Sequence, residues 1–269
     1  SSDVCSSDLS RTGIARKMSC LRSFYDYLCK RQLLSSNPVR LVDMPKIKEK
    51  AIIQLDPDEV ASLLDHIENY GNQLTGVQLY HYNKQKYRDM AIITLLLGTG
   101  VRVSELVGLN IGDVDFKNNG IRILRKGGNE MIVYFGSEVE AALKDYLEIS
   151  RNAITPVAGH EEALFLSGQR KRISVDAVEK MVKKYASAVS VKTITPHKLR
   201  STYGTALYQE TGDIYLVADV LGHADVNTTK KHYAKLSDAR RRSASKAVVL
   251  REKRESEGSV KEINNINVD

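Results

Sequence analysis

The chain has 269 residues, a length that leaves room for one full domain and part of a second. Hydrophobic residues make up 42% of it and charged residues 27%, a composition that excludes a globally disordered chain. Lysine and arginine exceed the acidic residues by 40 to 33, so the net charge is +7, which favours a polyanionic partner where the excess is clustered.

The cysteines and the N-terminal region indicate a cytoplasmic protein. Cys5, Cys20 and Cys29 show neither metal-ligand spacing nor an even number for disulfide pairing, which suits a reducing compartment. No apolar run reaches 18 residues, and no charged segment followed by an apolar one opens the chain. We therefore expect neither secretion nor a membrane span. The polar opening SSDVCSSDL is left out of the fold prediction.

The first predicted helix covers residues 16–34, where apolar residues recur at helical spacing until Asn37-Pro38 stops the pattern. The segment MPKIKEKAIIQL, residues 44–55, is charged and contains proline. We interpret it as a linker between domains.

Three helices are predicted next. Asp56-Pro57-Asp58-Glu59 is typical of a capped helix start, so a helix is expected to run to Tyr70. Residues 71–84 are predicted to form a polar loop. A second helix is expected from Tyr87 to Thr99, ending at the Gly98–Gly100 turn that leads into a third helix through Val103-Ser104-Glu105-Leu106.

The middle of the chain predicts a small antiparallel sheet. IRILR (121–125) and MIVYF (131–135) are β-prone runs joined by the Gly-containing residues 126–130, a strong hairpin signal. Val114-Asp115-Phe116 is the candidate third strand.

The remainder predicts further helices, so the expected fold is mainly α with a small antiparallel sheet. Ser137 and Glu140 suggest a capping box. The other helical segments are 174–190, 195–212, 213–221 and one that starts near Asn227. Residues 235–254 hold eight basic and two acidic residues and no proline or glycine, which is typical of a solvated helical tail. Residues 255–269 are predicted to be disordered.

Phosphodiester cleavage without a metal needs a nucleophile, a general acid and cations around the non-bridging oxygens. Arginine suits the last role because its planar guanidinium binds phosphate at two points and stays charged. The sequence has no HExxH, CxxC, GxxxxGK[ST] or GxGxxG motif. Metal and nucleotide chemistry therefore lack support, and no cofactor is expected.

Five motifs resemble those of the tyrosine recombinases, the phage-type integrase family, with Xer-like and conjugative-transposon-like features. They occur in the family's order: TGVRVSELVGLNIGDVD (99–115), a hairpin lysine at 126, TPHKLRSTYGT (195–205), LGHADVNTT (221–229) and KHYAKL (231–236). The resemblance covers residues 16–250. It implies the catalytic-domain fold of that family.

The resemblance also implies a role for each matching residue: Arg102 and Arg200 as phosphate-binding arginines, Lys126 as general acid, His197 and His223 as hydrogen-bonding or proton-handling groups, Tyr233 as nucleophile and Glu105 as a supporting acidic residue. Ser201 stands where many relatives have histidine. Tyr233 lies ten residues after His223, where relatives have nine or ten, and the residue at nine is His232.

Each of these residues also has a purely structural interpretation. Arg102 and Glu105 are spaced as an ordinary helix-surface ion pair. Lys126 fits a solubilising residue in a turn, His223 fits a helix cap, and Tyr233 fits a core aromatic. His197 and Arg200 are harder to explain as packing, because both follow the start of a helix that itself favours phosphate.

The implied domains are residues 1–43 as the end of a helical DNA-clamp domain, 44–55 as linker and 56–254 as catalytic domain. The implied function is site-specific recombination through a 3′-phosphotyrosine and a Holliday junction, with double-stranded DNA and a homotetramer as partners and a directionality factor as a further candidate. The biological use can be integration, excision or the resolution of chromosome dimers. Residues Tyr80 to Lys86 resemble an insertion of some element integrases, which favours mobile DNA. The alternatives are a type IB topoisomerase and a catalytically silent DNA-binding accessory protein.

Overall fold

The computed structural model describes residues 10–46, 53–125, 128–222, and the single residues 226 and 229. The chain divides into two compact units, one up to residue 51 and one from residue 52. No helix in the described part of the chain has the length and apolar character needed to cross a membrane.

The first unit is a helix followed by a short turn. Helix α1 spans Arg11–Lys30, and the hydroxyl of Ser10 caps it by accepting a hydrogen bond from the backbone of Gly13 at 3.1 Å. A 3₁₀ turn at Pro38–Leu41 folds back onto the helix, since the Asn37 amide donates to Asp26 at 2.8 Å. The predicted helix is confirmed, although it begins and ends earlier in the chain than expected.

The helices of the second unit are α2 (Pro57–Asn69), α3 (Gly76–Thr99), α4 (Val103–Gly108), α5 (Ser137–Asp145), α6 (Val175–Val189), α7 (Pro196–Thr211) and α8 (Ile214–Leu221). A π-helical turn at Tyr146–Arg151 extends α5. The capping box predicted at the start of α2 is confirmed: the Glu59 backbone donates to Asp56, and the Asp56 backbone donates to Glu59, each at 2.9 Å.

The sheet has three antiparallel strands in the order β1 (Val114–Asp115), β2 (Gly120–Leu124) and β3 (Glu130–Tyr134). Ile121 pairs with Val133, and both side chains are buried, whereas Leu124 and Tyr134 are exposed. The predicted hairpin and its third strand are confirmed. The mainly α fold with a small antiparallel sheet is confirmed as well.

Helix α3 is the centre of the core. It packs against α2, α5 and α7, and Ala91, Ile92, Ile93, Leu95 and Leu96 are fully buried within it. A helix that is apolar on every side is stable only when it is surrounded. The elements packed against α3 therefore cover its apolar C-terminal half, and the loop that leads to α4 begins where this buried segment ends.

Two local predictions are wrong. Residues 76–84, expected in a loop, form the first turns of α3, because Tyr82 is buried and its hydroxyl lies 2.8 Å and 2.6 Å from the carbonyls of Ile67 and Glu68. The segment from Tyr80 to Lys86 is thus helical. Ser137 does not cap α5: Gly136 takes that position, and Glu140 accepts a hydrogen bond from Lys144 at 2.6 Å instead.

Candidate active site

The turn after α3 places Arg102. Gly100 ends α3 in the left-handed conformation with φ of 63°, which glycine adopts without a steric penalty. A β-carbon there would lie 2.4 Å from the ring of Tyr203, so glycine is also required for space. Arg102 then occupies the capping position of α4, and its side chain is 38% exposed.

Glu105 holds Arg102 in place. One carboxylate oxygen of Glu105 accepts from Nη1 of Arg102 and the other from the Arg102 backbone N–H, both at 2.8 Å. The Glu105 side chain is only 5% exposed. An ordinary surface pair would leave both groups in water, so the surface-pair interpretation does not fit, and the buried carboxylate orients the more exposed guanidinium.

Arg200 approaches the same place from α7. It is buried, and its guanidinium donates to the carbonyl oxygens of Gly100 and Leu221. Arg102 donates to the carbonyl of Gly222 at 2.9 Å. The two arginines, which lie in motifs about 100 residues apart, therefore bind neighbouring carbonyls at the end of α8.

The electrostatics of this arrangement follow from helix geometry. The last carbonyls of a helix have no partner within it and carry partial negative charge. The C-terminal ends of α3 and α8 both point their carbonyls at the arginines, which offsets part of the cost of burying a guanidinium. A backbone carbonyl has no formal charge, so these hydrogen bonds do not neutralise the guanidiniums.

The end of α8 explains the glycine of the LGH motif. Gly222 has φ of 61° and caps α8 in the left-handed conformation. A β-carbon at this position would lie 1.6 Å from Nη1 of Arg125. Glycine is thus favoured by the backbone angle, and a side chain at this position would displace the guanidinium of Arg125.

Helix α7 carries two further motif residues. His197 lies in its first turn and is exposed, and its carbonyl accepts from Ser201 at 3.1 Å. Thr202 is buried, and its hydroxyl accepts from the Leu55 backbone N–H and donates to the Lys198 carbonyl, each at 3.0 Å. The threonine of the HKLRST motif therefore fixes the segment that enters α2, a role the sequence did not suggest.

The structure brings together three of the predicted residues, Arg102, Glu105 and Arg200, with His197 one helical turn before Arg200. Lys126, His223 and Tyr233 lie outside the described residues, as does most of the segment expected to start near Asn227. Among the described residues, no group of His, Cys, Asp and Glu side chains could hold a metal ion.

The phage integrase family model matches residues 54–240 of this chain. The chain belongs to the phage integrase family. It is 37% identical over 224 residues to the tyrosine recombinase XerC of Thermodesulfovibrio yellowstonii, covering 82% of this chain and 70% of the relative. It is 37% identical over 240 residues to the tyrosine recombinase XerS of Streptococcus pneumoniae, covering 82% and 67%.

Solved structures of the same family share the fold. The crystal structure of XerA recombinase has a TM-score of 0.60 at 26% identity, covering 89% of this chain and 84% of that one. The Tn1549 transposon integrase in complex with circular intermediate DNA has a TM-score of 0.63 at 25% identity, covering 84% and 76%. This chain, a tyrosine recombinase by family, spans about two thirds of the length of its curated relatives, 66% of the Roseiflexus castenholzii XerC for example.

Proposed function

We propose that this chain is a site-specific DNA recombinase that cuts and rejoins DNA strands through a covalent bond between Tyr233 and a 3′-phosphate. The observation that carries the proposal is the convergence of Arg102 and Arg200 at the end of α8, with Glu105 orienting Arg102. Two guanidiniums in one place match the two non-bridging oxygens of a phosphodiester, where charge accumulates in the transition state. The partner is double-stranded DNA.

In the proposed reaction, the Tyr233 oxygen attacks phosphorus, and the bond from phosphorus to the 5′-oxygen breaks. The leaving oxygen takes a proton from Lys126, and the tyrosine proton passes to His197, the exposed group one turn from Arg200. His223 donates a hydrogen bond to the phosphate. Attack by the 5′-hydroxyl of another strand reverses these steps, so no external energy source is needed.

The test of the nucleophile is Tyr233→Phe, which removes the attacking oxygen and keeps the ring. This variant should bind target DNA and yield no SDS-resistant protein–DNA adduct, and the parent adduct should digest to tyrosine on a 3′-phosphate. His232→Ala is the matched control and should still form the adduct. An adduct that survives in Tyr233→Phe and disappears in His232→Ala would overturn the assignment.

For assembly, we propose that residues 56–254 form the catalytic domain, that residues 1–43 belong to a helical DNA-clamp domain and that 44–55 link them. Four protomers on two sites would exchange strands through a Holliday junction. The basic segment after Tyr233 would pack on a neighbouring protomer. Deletion of residues 240–269 should then preserve binding of one protomer to DNA and impair paired recombination, as read by gel shift and by product analysis.

Loss of all DNA binding when residues 240–269 are deleted, with a shallower salt dependence, would instead assign the segment to phosphate contacts.

Integration or excision of a mobile element, with a directionality factor, is the proposed biological use. It rests on the family motifs and not on an inserted loop, because Tyr80 to Lys86 belongs to α3. Relaxation of supercoiled DNA without recombination would overturn the recombinase assignment in favour of a topoisomerase.

A further inference from the structure

A third arginine binds the end of α8. Arg125 follows β2, and its guanidinium donates to the carbonyl of Val220 at 2.7 Å and to that of Asp219 at 3.3 Å. The next two carbonyls, those of Leu221 and Gly222, accept from Arg200 and Arg102. Four successive carbonyls at this helix end are therefore bound by arginines from three different parts of the fold.

The placement of Arg125 carries a local energetic cost. Its Nε is buried and, within the described residues, has no hydrogen-bond partner, which is unfavourable for a charged group. Burial is the largest cause that lowers the pKa of Arg125; the charge of Glu105 opposes this effect and that of Arg102 adds to it. Arg125 thus belongs to the electrostatic environment of the active-site arginines, although no motif contains it.

The main chain of Arg125 closes the β2–β3 hairpin. Its N–H donates to the Asn129 carbonyl at 2.9 Å, and its carbonyl accepts from the Gly128 N–H at 3.1 Å. The side chain of the same residue is fixed to α8 and fills the space that Gly222 leaves open. One residue therefore both closes the turn and anchors it, and the next residue in the chain is Lys126.

We propose that Arg125 is a positioning residue that fixes the base of the β2–β3 hairpin to the last turn of α8 and so sets the point from which Lys126 reaches the scissile phosphate. This inference rests on the proposed function, in which Lys126 protonates the leaving oxygen. Arg125 itself acts on protein backbone: its described side-chain bonds all go to carbonyls of α8.

The experiment measures single-turnover strand cleavage by Arg125→Ala, Lys126→Ala and the double variant. Arg125→Ala should cleave on the order of 10²-fold more slowly, the loss expected when a reacting group is misplaced by about 1 Å. The double variant should be no slower than Lys126→Ala. Replacing the 5′-bridging oxygen of the DNA by sulfur, which leaves without a proton, should restore Arg125→Ala and Lys126→Ala alike.

Arg122→Ala is the matched control, because Arg122 lies on β2 three residues before Arg125 but pairs with Asp113 at 2.8 Å instead of with α8. It should cleave at the parental rate. Arg125→Lys keeps the charge but lacks the planar pair of donors that binds two carbonyls in a fixed geometry, so its cleavage rate should fall between those of the parent and Arg125→Ala. Hydrogen exchange at residues 218–222 should accelerate in Arg125→Ala and not in Arg122→Ala.

The outcomes separate this inference from the proposed function. Cleavage at the parental rate by Arg125→Ala overturns the positioning role. A double variant whose defect is the product of the two single defects also overturns it. So does a sulfur substrate that restores cleavage by Lys126→Ala but not by Arg125→Ala. If sulfur fails to restore Lys126→Ala itself, the proton-donor role of Lys126 is wrong. A double variant as slow as Lys126→Ala would even then support positioning of Lys126 by Arg125.

Discussion

The middle of α3 and the end of α8 are both packed against other elements, but they are held by different forces. Around Ile92 and Leu95 the contacts are apolar on every side and have no required direction. At Leu221 and Gly222 the contacts are hydrogen bonds from guanidiniums, whose direction is fixed by the carbonyls. The first region supplies stability, and under the proposed function the second orients two charges towards a phosphate.

The largest expected effect lies in the core. Ile92→Ala should lower the free energy of unfolding by about 2–5 kcal/mol, because it leaves a cavity in a fully buried site. Urea denaturation measures the loss. Val77→Ala, on the same helix but 72% exposed, should change it by less than about 0.5 kcal/mol. The cleavage rate per folded molecule should stay parental in Ile92→Ala. A slower rate would show that the core of α3 also affects catalysis and not only stability.

The next effect is catalytic. Arg200→Ala should slow cleavage on the order of 10²-fold or more, as the loss of a transition-state donor does. Arg200→Lys should recover only part of the rate, because an ammonium lacks the planar pair of donors that binds two phosphate oxygens in a fixed geometry. Single-turnover cleavage at saturating protein measures the rates.

Arg172 supplies the matched control for Arg200. It also donates to backbone carbonyls, those of Val107 and Leu109 at 3.1 Å and 2.7 Å. Arg172→Ala should therefore lose stability, by about 1–3 kcal/mol for unpaired carbonyls, without a comparable loss of cleavage. Equal cleavage defects in the two variants would show that Arg200 only supports the fold.

A smaller effect tests the end of α8 alone. Gly222→Ala should destabilise the protein by more than Gly76→Ala, although both glycines have positive φ, 61° and 56°. The left-handed conformation costs alanine about 1–2 kcal/mol at either position, but only at Gly222 does a β-carbon meet another side chain. Thermal or urea unfolding gives the comparison. Equal losses would contradict the close approach of Arg125.

The smallest effect concerns pH. The hydrogen bond from Lys192, followed by that from the Asp56 backbone, lowers the pKa of Glu59 to about 2 from 4.5. Because the folded pKa lies below the unfolded one, the stabilisation is complete above pH 4.5 and is lost as the pH falls towards 2. Glu59→Gln should flatten the stability profile in that window and cost below about 1 kcal/mol at neutral pH. Lys192→Met should flatten the stability profile too. An unchanged profile in both variants would show that the pair of Glu59 and Lys192 does not contribute to stability.

Local signals predicted most of the second unit. The start of α2, the hairpin and the glycine ends of α3, α7 and α8 are determined by residues within a few positions of one another. The first turns of α3 could not be predicted in this way, because a polar sequence becomes helical there through the contact of Tyr82 with the end of α2. Ser137 does not cap α5, which begins after Gly136 instead, and Glu140 accepts a hydrogen bond from Lys144.

By itself, the sequence determined the strands and most of the helices, the family and the identity of Arg102, Glu105 and Arg200 as candidates, because each depends on neighbouring residues or on motif order. Only the tertiary structure decided what these side chains bind. The acceptors of Arg102 and Arg200 are backbone carbonyls, which every residue has and which leave no mark in the sequence. Arg125 was missed for that reason: its partners are the carbonyls of Asp219 and Val220, more than 90 residues away along the chain.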